Sequence, residues 1–286
     1  MSCRYVLIAL CCVILVPGCA GVQGRRDLKD ALLSSVGWQS HTIATQQFDI
    51  VTAAPTGRLG DTLTVYLEGD GRAYLNSSLP SADPTPADPV ALKMAIVDPS
   101  SGPLLYIARP CQYVLPDYGR NCGKQYWTDQ RYSLPIVDSI SEALDHEKER
   151  VAASRLILVG YSGGGALAAL LAGHRQDVAA IVTVAANLDL GYWIKRDGLA
   201  PLDGSLDPAD YAERIADIPQ LHLAGARDTV VGPDVTRSFL GRMGTGQKAR
   251  MSIISDFDHV CCWAIHWRSL IQRPDVAAVL GRIPAF

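Results

Sequence analysis

Residues 155–173 read Arg155-Leu156-Ile157-Leu158-Val159-Gly160-Tyr161-Ser162-Gly163-Gly164-Gly165-Ala166-Leu167-Ala168-Ala169-Leu170-Leu171-Ala172-Gly173. An apolar run of strand length enters a glycine-framed serine, and a small-residue run of helical length leaves it. The pattern G-x-S-x-G is weak on its own, because a chain with this much glycine meets it by chance. The strand before it and the helix after it supply the discrimination, since together they describe a nucleophile on a sharp strand-to-helix turn. Glycines two residues either side of Ser162 remove the Cβ atoms where the two elements must close up. The competing readings fail on composition. A phosphate-binding loop would need a lysine after its glycines, and the order of these glycines is not that of a dinucleotide fingerprint. Ser162 is the candidate nucleophile.

Outward from this point, apolar runs alternate with amphipathic ones. Candidate strands fall at 47–53, 62–67, 104–108, 155–159, 179–185, 220–224 and 249–254. Helical stretches lie between them. Asp88-Pro89 has the form of an N-cap and first helical residue, and Ile136, Ile140 and Leu144 share one helical face. The alternation predicts an α/β fold with a mostly parallel central sheet and helices on both faces. Two connections are long for a compact domain, 69–84 and 188–218, and the second is read as a cap or lid insertion.

A serine nucleophile needs a base, and the base needs an orienting acid. His174, His222, His259 and His266 follow Ser162. His174 ends the helix after the serine, His222 falls inside a strand, and His266 lies within a late helical stretch. His259 instead follows the strand at 249–254 on the loop Ser255-Asp256-Phe257-Asp258-His259, where a base at a strand tip belongs. For the acid, Asp228 sits on the loop after the strand at 220–224, in Gly225-Ala226-Arg227-Asp228-Thr229-Val230-Val231. Asp234 and Asp189 are its competitors, the former at a helix start where capping is the ordinary role.

These pieces resemble the α/β-hydrolase superfamily over residues 62 to the C-terminus. The chain order Ser162, Asp228, His259 is that of the family's triad. G-x-x-D before small apolar residues resembles its acid loop, and Asp258-His259 near the end resembles its base. The strand at 62–67 runs into Glu68-Gly69-Asp70-Gly71-Arg72, similar to the family's oxyanion loop, with Glu68-Gly69 where His-Gly is usual. The resemblance implies that the backbone N–H of Gly163 and that of Asp70, or next Gly71, receive the oxyanion. An acidic turn closing a strand is the plain alternative. Fragments such as Arg109-Pro110-Cys111-Gln112-Tyr113 and Asp258-His259-Val260-Cys261-Cys262-Trp263 are similar to those of uncharacterised bacterial α/β-hydrolase lipoproteins. What the resemblance implies is an ester-cleaving serine hydrolase with a small-molecule or lipid ester substrate and no metal or organic cofactor. The rival readings are a catalytically silent envelope lipoprotein that binds partners, and an acyltransferase or thioesterase using the same triad.

The first residues tell a separate story. Arg4 precedes an apolar run from Tyr5 to Val16, broken by Pro17-Gly18 before Cys19. The run is shorter than the roughly 20 residues that span a bilayer core, and a charged start with small residues at the end describes a secretory signal. Val16-Pro17-Gly18-Cys19 resembles a bacterial lipobox, which implies a signal peptide at 1–18, lipid on Cys19, a membrane tether over 19–37 and the hydrolase domain over 38–286. Ala20 stands where an aspartate would favour inner-membrane retention, so the resemblance points to the outer membrane, facing the periplasm. Of the 8 cysteines, Cys111, Cys122, Cys261 and Cys262 remain in the domain after Cys3, Cys11, Cys12 and Cys19 are set aside. Export permits disulfides, and four cysteines allow three connectivities. Cys111 with Cys122 closes a short turn-rich loop, which would leave Cys261 and Cys262 as a vicinal bridge or two thiols. Adjacent cysteines do not supply zinc-finger spacing. A net charge of -3 advertises no basic face for nucleic acid.

Overall fold

The computed structural model describes residues 21–114 and 119–282; Cys19 and the signal segment lie outside them. Among the described residues eight strands form one sheet. They are β1 (Gln39–Ala44), β2 (Asp49–Ala54), β3 (Thr62–Leu67), β4 (Leu104–Ile107), β5 (Arg155–Tyr161), β6 (Val178–Val184), β7 (Gln220–Gly225) and β8 (Ala249–Ile254). Their order across the sheet is β1-β2-β4-β3-β5-β6-β7-β8. The pairs β1–β2 and β2–β4 are antiparallel, and every later pair is parallel. Central strands are apolar on both faces because helices cover both, and the period-2 alternation sorts their side chains. Leu156 and Leu158 of β5 join one core, and Ile157 and Val159 join the other.

The first core is closed by α3 (Leu134–Val151), α4 (Gly163–His174) and Phe239 of α6 (Gly232–Gly241). The second is closed by α1 (Val22–Val36), α2 (Val90–Val97), α7 (Trp263–Leu270) and α8 (Pro274–Val279). Ile136, Ile140 and Leu144 form the buried stripe of α3. Trp263 and Trp267 are fully buried on α7, and Trp267 Nε1 donates to the Tyr66 hydroxyl at 3.0 Å. No helix among the described residues is long and apolar enough to cross a membrane.

Four features differ from the sequence reading. Residues 22–36, read as tether, form α1, whose Arg25, Lys29 and Leu33 are buried. That stripe looks polar in sequence because its charged groups are buried against partners elsewhere in the fold, Arg25 3.5 Å from Asp83 and Lys29 5.6 Å from the centre of the Tyr113 ring. Strand β1 went unread because five of its six residues, Gln39–Ala44, are exposed, so no apolar alternation marks it. Helix α2 starts at Val90 with Pro89 as its cap residue, one position later than Asp88-Pro89 suggested. Asp88 instead pairs with Lys93. The stretch 188–218 contains α5 (Leu190–Asp197) and two 3-10 turns, Pro208–Tyr211 and Glu213–Ile215. Ala209, Ala212 and Ile215 belong to the first core, and Gly173 of α4 packs on the Tyr211 ring. Most of this segment is therefore a wall of the domain, and Trp193 is its side chain at the pocket.

Candidate active site

Six parallel strands, β3 to β8, deliver their carboxyl ends to one edge of the sheet, where open α/β sheets bind ligands. Past β5 stands Ser162, at φ 50° and ψ −121°. This left-handed φ is costly for a residue with a Cβ, by about 1–3 kcal/mol. Its neighbours enforce it: the Ser162 N–H donates to Val184 O on β6 at 2.8 Å. A Cβ on Gly160 would overlap the Gly164 carbonyl, one on Gly164 would overlap Leu67 O, and one on Gly165 would overlap the Ala186 Cβ. The sharp turn is thus built on glycine backbone contacts, as the sequence motif required.

Past β7 and β8 lie Asp228 and His259. Ser162 Oγ is 3.0 Å from His259 Nε2, and His259 Nδ1 is 2.9 Å from Asp228 Oδ2. Asp228 Oδ1 accepts the N–H groups of Val230 and Val231 at 2.8 and 2.9 Å, so its other oxygen is left for the imidazole. Burial of Asp228 works to raise its pKa. The hydrogen bond and charge of His259 and the two N–H groups outweigh burial, holding the carboxyl below the ordinary aspartate value. An ionised acceptor there places the proton on Nδ1 and leaves Nε2 free to take the serine proton. The base loop is pinned from several sides. The Tyr161 hydroxyl donates to His259 O at 3.1 Å, Asp258 Oδ1 accepts from Val260 and Cys261, and Trp263 Nε1 donates to Asp258 O. Cys261 is disulfide-bonded to Cys262, and Cys111 to Cys122.

The competing residues have other work. Asp189 caps α5 through Tyr192 N–H and accepts from Ser238 and Arg242. Asp234 pairs with Arg196. His222 is fully buried, which pulls its pKa down to about 3, and its Nδ1 lies 2.9 Å from Thr183 Oγ1. His174 and His266 are exposed.

Asp70 and Gly71 line the same pocket as Ser162 and His259, a cavity of about 510 Å³. Gly163 opens α4, so its N–H lacks an intrahelical acceptor, and its Cα hydrogens face the Asp70 carboxylate so closely that a Cβ would collide with it. Gly71 has φ 66° and no room for a Cβ against Pro84 O. The N–H of Gly69 is occupied, donating to Glu68 Oε1 at 3.0 Å. That of Asp70 has no acceptor among the described residues. The loop is held by contacts the sequence did not reveal. Asp70 Oδ1 pairs with Arg109, Oδ2 is 2.8 Å from Arg131 Nη1, and both oxygens accept from the Tyr132 hydroxyl at 3.1 and 3.3 Å. Gln112 Nε2 donates to Gly69 O at 3.0 Å. Of these, only the Arg109-Pro110-Cys111-Gln112 fragment carried any sequence signal. Among the described residues no cluster of His, Cys, Asp or Glu is arranged to hold a metal ion.

Comparison with solved structures agrees with this architecture. A puromycin hydrolase superposes with TM-score 0.60 at 18% identity over 87% of this chain and 40% of its own. An acylaminoacyl peptidase of Pyrococcus horikoshii gives 0.58 at 12% over 82% and 40%. The Pyrococcus furiosus esterase Pf2001 gives 0.56 at 14% over 85% and 92%. The chain thus spans about 40% of the length of the first two and nearly the whole of the esterase. No protein-family model and no curated protein matches the sequence. The likeness is one of fold, the α/β-hydrolase fold.

Proposed function

We propose that this chain is an exported serine hydrolase that cleaves carboxylic esters through Ser162, His259 and Asp228. The observation that carries the reading is the pair of contacts, 3.0 Å from Ser162 Oγ to His259 Nε2 and 2.9 Å from His259 Nδ1 to Asp228 Oδ2, at the wall of one pocket. In this mechanism His259 takes the serine proton as Oγ attacks the acyl carbonyl, and Asp228 stabilises the imidazolium. The N–H groups of Gly163 and Asp70 stabilise the oxyanion, a single donor of this kind being worth about 3–4 kcal/mol of barrier. His259 then protonates the leaving alcohol, and water, deprotonated by the same imidazole, releases the acid.

The test is labelling with a fluorophosphonate probe together with turnover of short p-nitrophenyl esters by the wild-type protein and by Ser162→Ala. Labelling and hydrolysis are expected in the former and neither in the latter, with the fold unchanged by circular dichroism. Undiminished turnover by Ser162→Ala refutes the mechanism, and an unlabelled, inactive wild type favours the silent binding protein. The export reading is that Cys19 begins the mature chain and carries lipid at the outer membrane, facing the periplasm. Intact mass of the membrane fraction is expected to show that start with added acyl mass; another start without acyl mass defeats it.

A further inference from the structure

Three guanidinium groups stand at the β3 side of the pocket, and one carboxylate answers them. Arg109 and Arg131 are both engaged by Asp70. Arg72 also lines the pocket, half-buried, and its side chain makes no hydrogen bond or ion pair among the described residues. The other acids nearby are committed elsewhere. Asp88 pairs with Lys93 and Asp83 with Arg25, Asp228 faces His259, and Glu68 Oε1 is turned to the N–H groups of Gly69 and Ala91. Arg72 is therefore a guanidinium without a counter-ion at the wall of a partly desolvated cleft, where a charge is felt more strongly than in water.

Across the pocket, beyond β6, Asn187 is only 3% exposed and its Oδ1 has no hydrogen-bond partner. Buried side-chain amides are ordinarily paired, but this oxygen is itself shut off from solvent, so the unpartnered polar group open to a ligand at the pocket wall is Arg72. A slot made for a plain hydrocarbon chain would not leave a bare guanidinium in its wall.

We infer that the pocket takes an ester bearing a carboxylate or a phosphate on its acyl or alcohol part, with Arg72 binding that anion. The word ester rests on the hydrolase reading; the anion site does not. Calorimetry on the Ser162→Ala protein tests the site without turnover, using monomethyl glutarate, n-butyl phosphate and the neutral methyl pentanoate. At least one anion is expected to bind about tenfold or more tightly than the neutral ester, in line with a hydrogen bond to a charged group. Arg72→Gln in the same background erases the difference and Arg72→Lys keeps much of it. Comparing the two anions identifies the headgroup. Equal binding of all three, binding of neither anion, or a preference that survives Arg72→Gln overturns the inference. In the wild type, the ratio of kcat/KM for mono-p-nitrophenyl glutarate over p-nitrophenyl pentanoate is read in parallel. Anion-selective binding without turnover of either ester removes the hydrolase reading and leaves the site, whereas turnover without anion selectivity does the reverse.

Discussion

Glu68 and Asp70 are two residues apart on the loop that leaves β3, and both line the pocket, yet they meet opposite electrostatic fates. Burial raises the pKa of Glu68 to about 7, because the N–H groups of Gly69, Ala91 and Leu92 offset its desolvation only in part. Burial acts on Asp70 too, but the charges of Arg109 and Arg131, with hydrogen bonds from Arg131 and Tyr132, win and hold it at about 2. Hydrogen-bond donors alone do not keep a buried carboxylate charged here, and two guanidinium groups do. The division has structural meaning. Glu68 lies at the N-terminus of α2, doing the capping that Asp88 does not, while Asp70 locks the loop beside Gly163 to β4's exit and to the chain before α3.

The harshest test of this contrast is to remove the anion that answers two buried cations. Asp70→Ala is expected to lower stability by about 3–5 kcal/mol, the usual cost of stranding a buried ion-pair partner, read from urea unfolding at neutral pH. A loss below about 1 kcal/mol would mean that Arg109 and Arg131 find other partners. The sign with pH follows from the depressed pKa. The stabilisation from Asp70 is present above pH 3.8 and is lost as pH falls toward about 2.

Glu68 runs the other way and is the gentler test. Between pH 4.5 and about 7 the folded state holds a proton that the unfolded chain has released, so stability falls as pH rises through that window. The integrated change is about 3 kcal/mol by linkage. Urea midpoints of the wild type and Glu68→Gln are expected to converge near pH 4.5 and to separate by pH 8, with the glutamine protein the more stable. Tyr106 and Tyr113, whose hydroxyls are buried nearby, have their pKa values pushed up by burial and remain neutral throughout. Parallel pH profiles for the two proteins would place an unrecognised cation beside Glu68.

The parts of the molecule visible in sequence share one physical property: their cause is local. Strands β3 to β7 are buried on both faces and so read as continuous apolar runs, and the elbow announces itself because its glycines are required within a few residues of Ser162. Asp228 and His259 could be singled out because loop placement after a strand is visible without knowledge of partners. Their mutual contacts lie outside what any reading of spacing can reach. Strand β1 and helix α1 were missed for opposite reasons, one being solvent-exposed and the other burying charged side chains. Arg109, Arg131 and Tyr132 act on Asp70 from 39 to 62 residues away, and Asn187 is distinctive only for what it fails to touch.

The sheet order has a consequence for how the protein is made. Strands β3 and β5 are side by side, but α2, β4 and α3 intervene between them in the chain, and His259 arrives only after β8, the outermost strand on that side. Closing such long loops is entropically slow, and until β7 and β8 emerge the edge of β6 is open to pairing with another chain. A growing polypeptide therefore carries Ser162 long before it carries His259. Throughout that interval the hydroxyl is an ordinary weak nucleophile, and any reactivity it has is acquired last, with the strand that also seals the sheet.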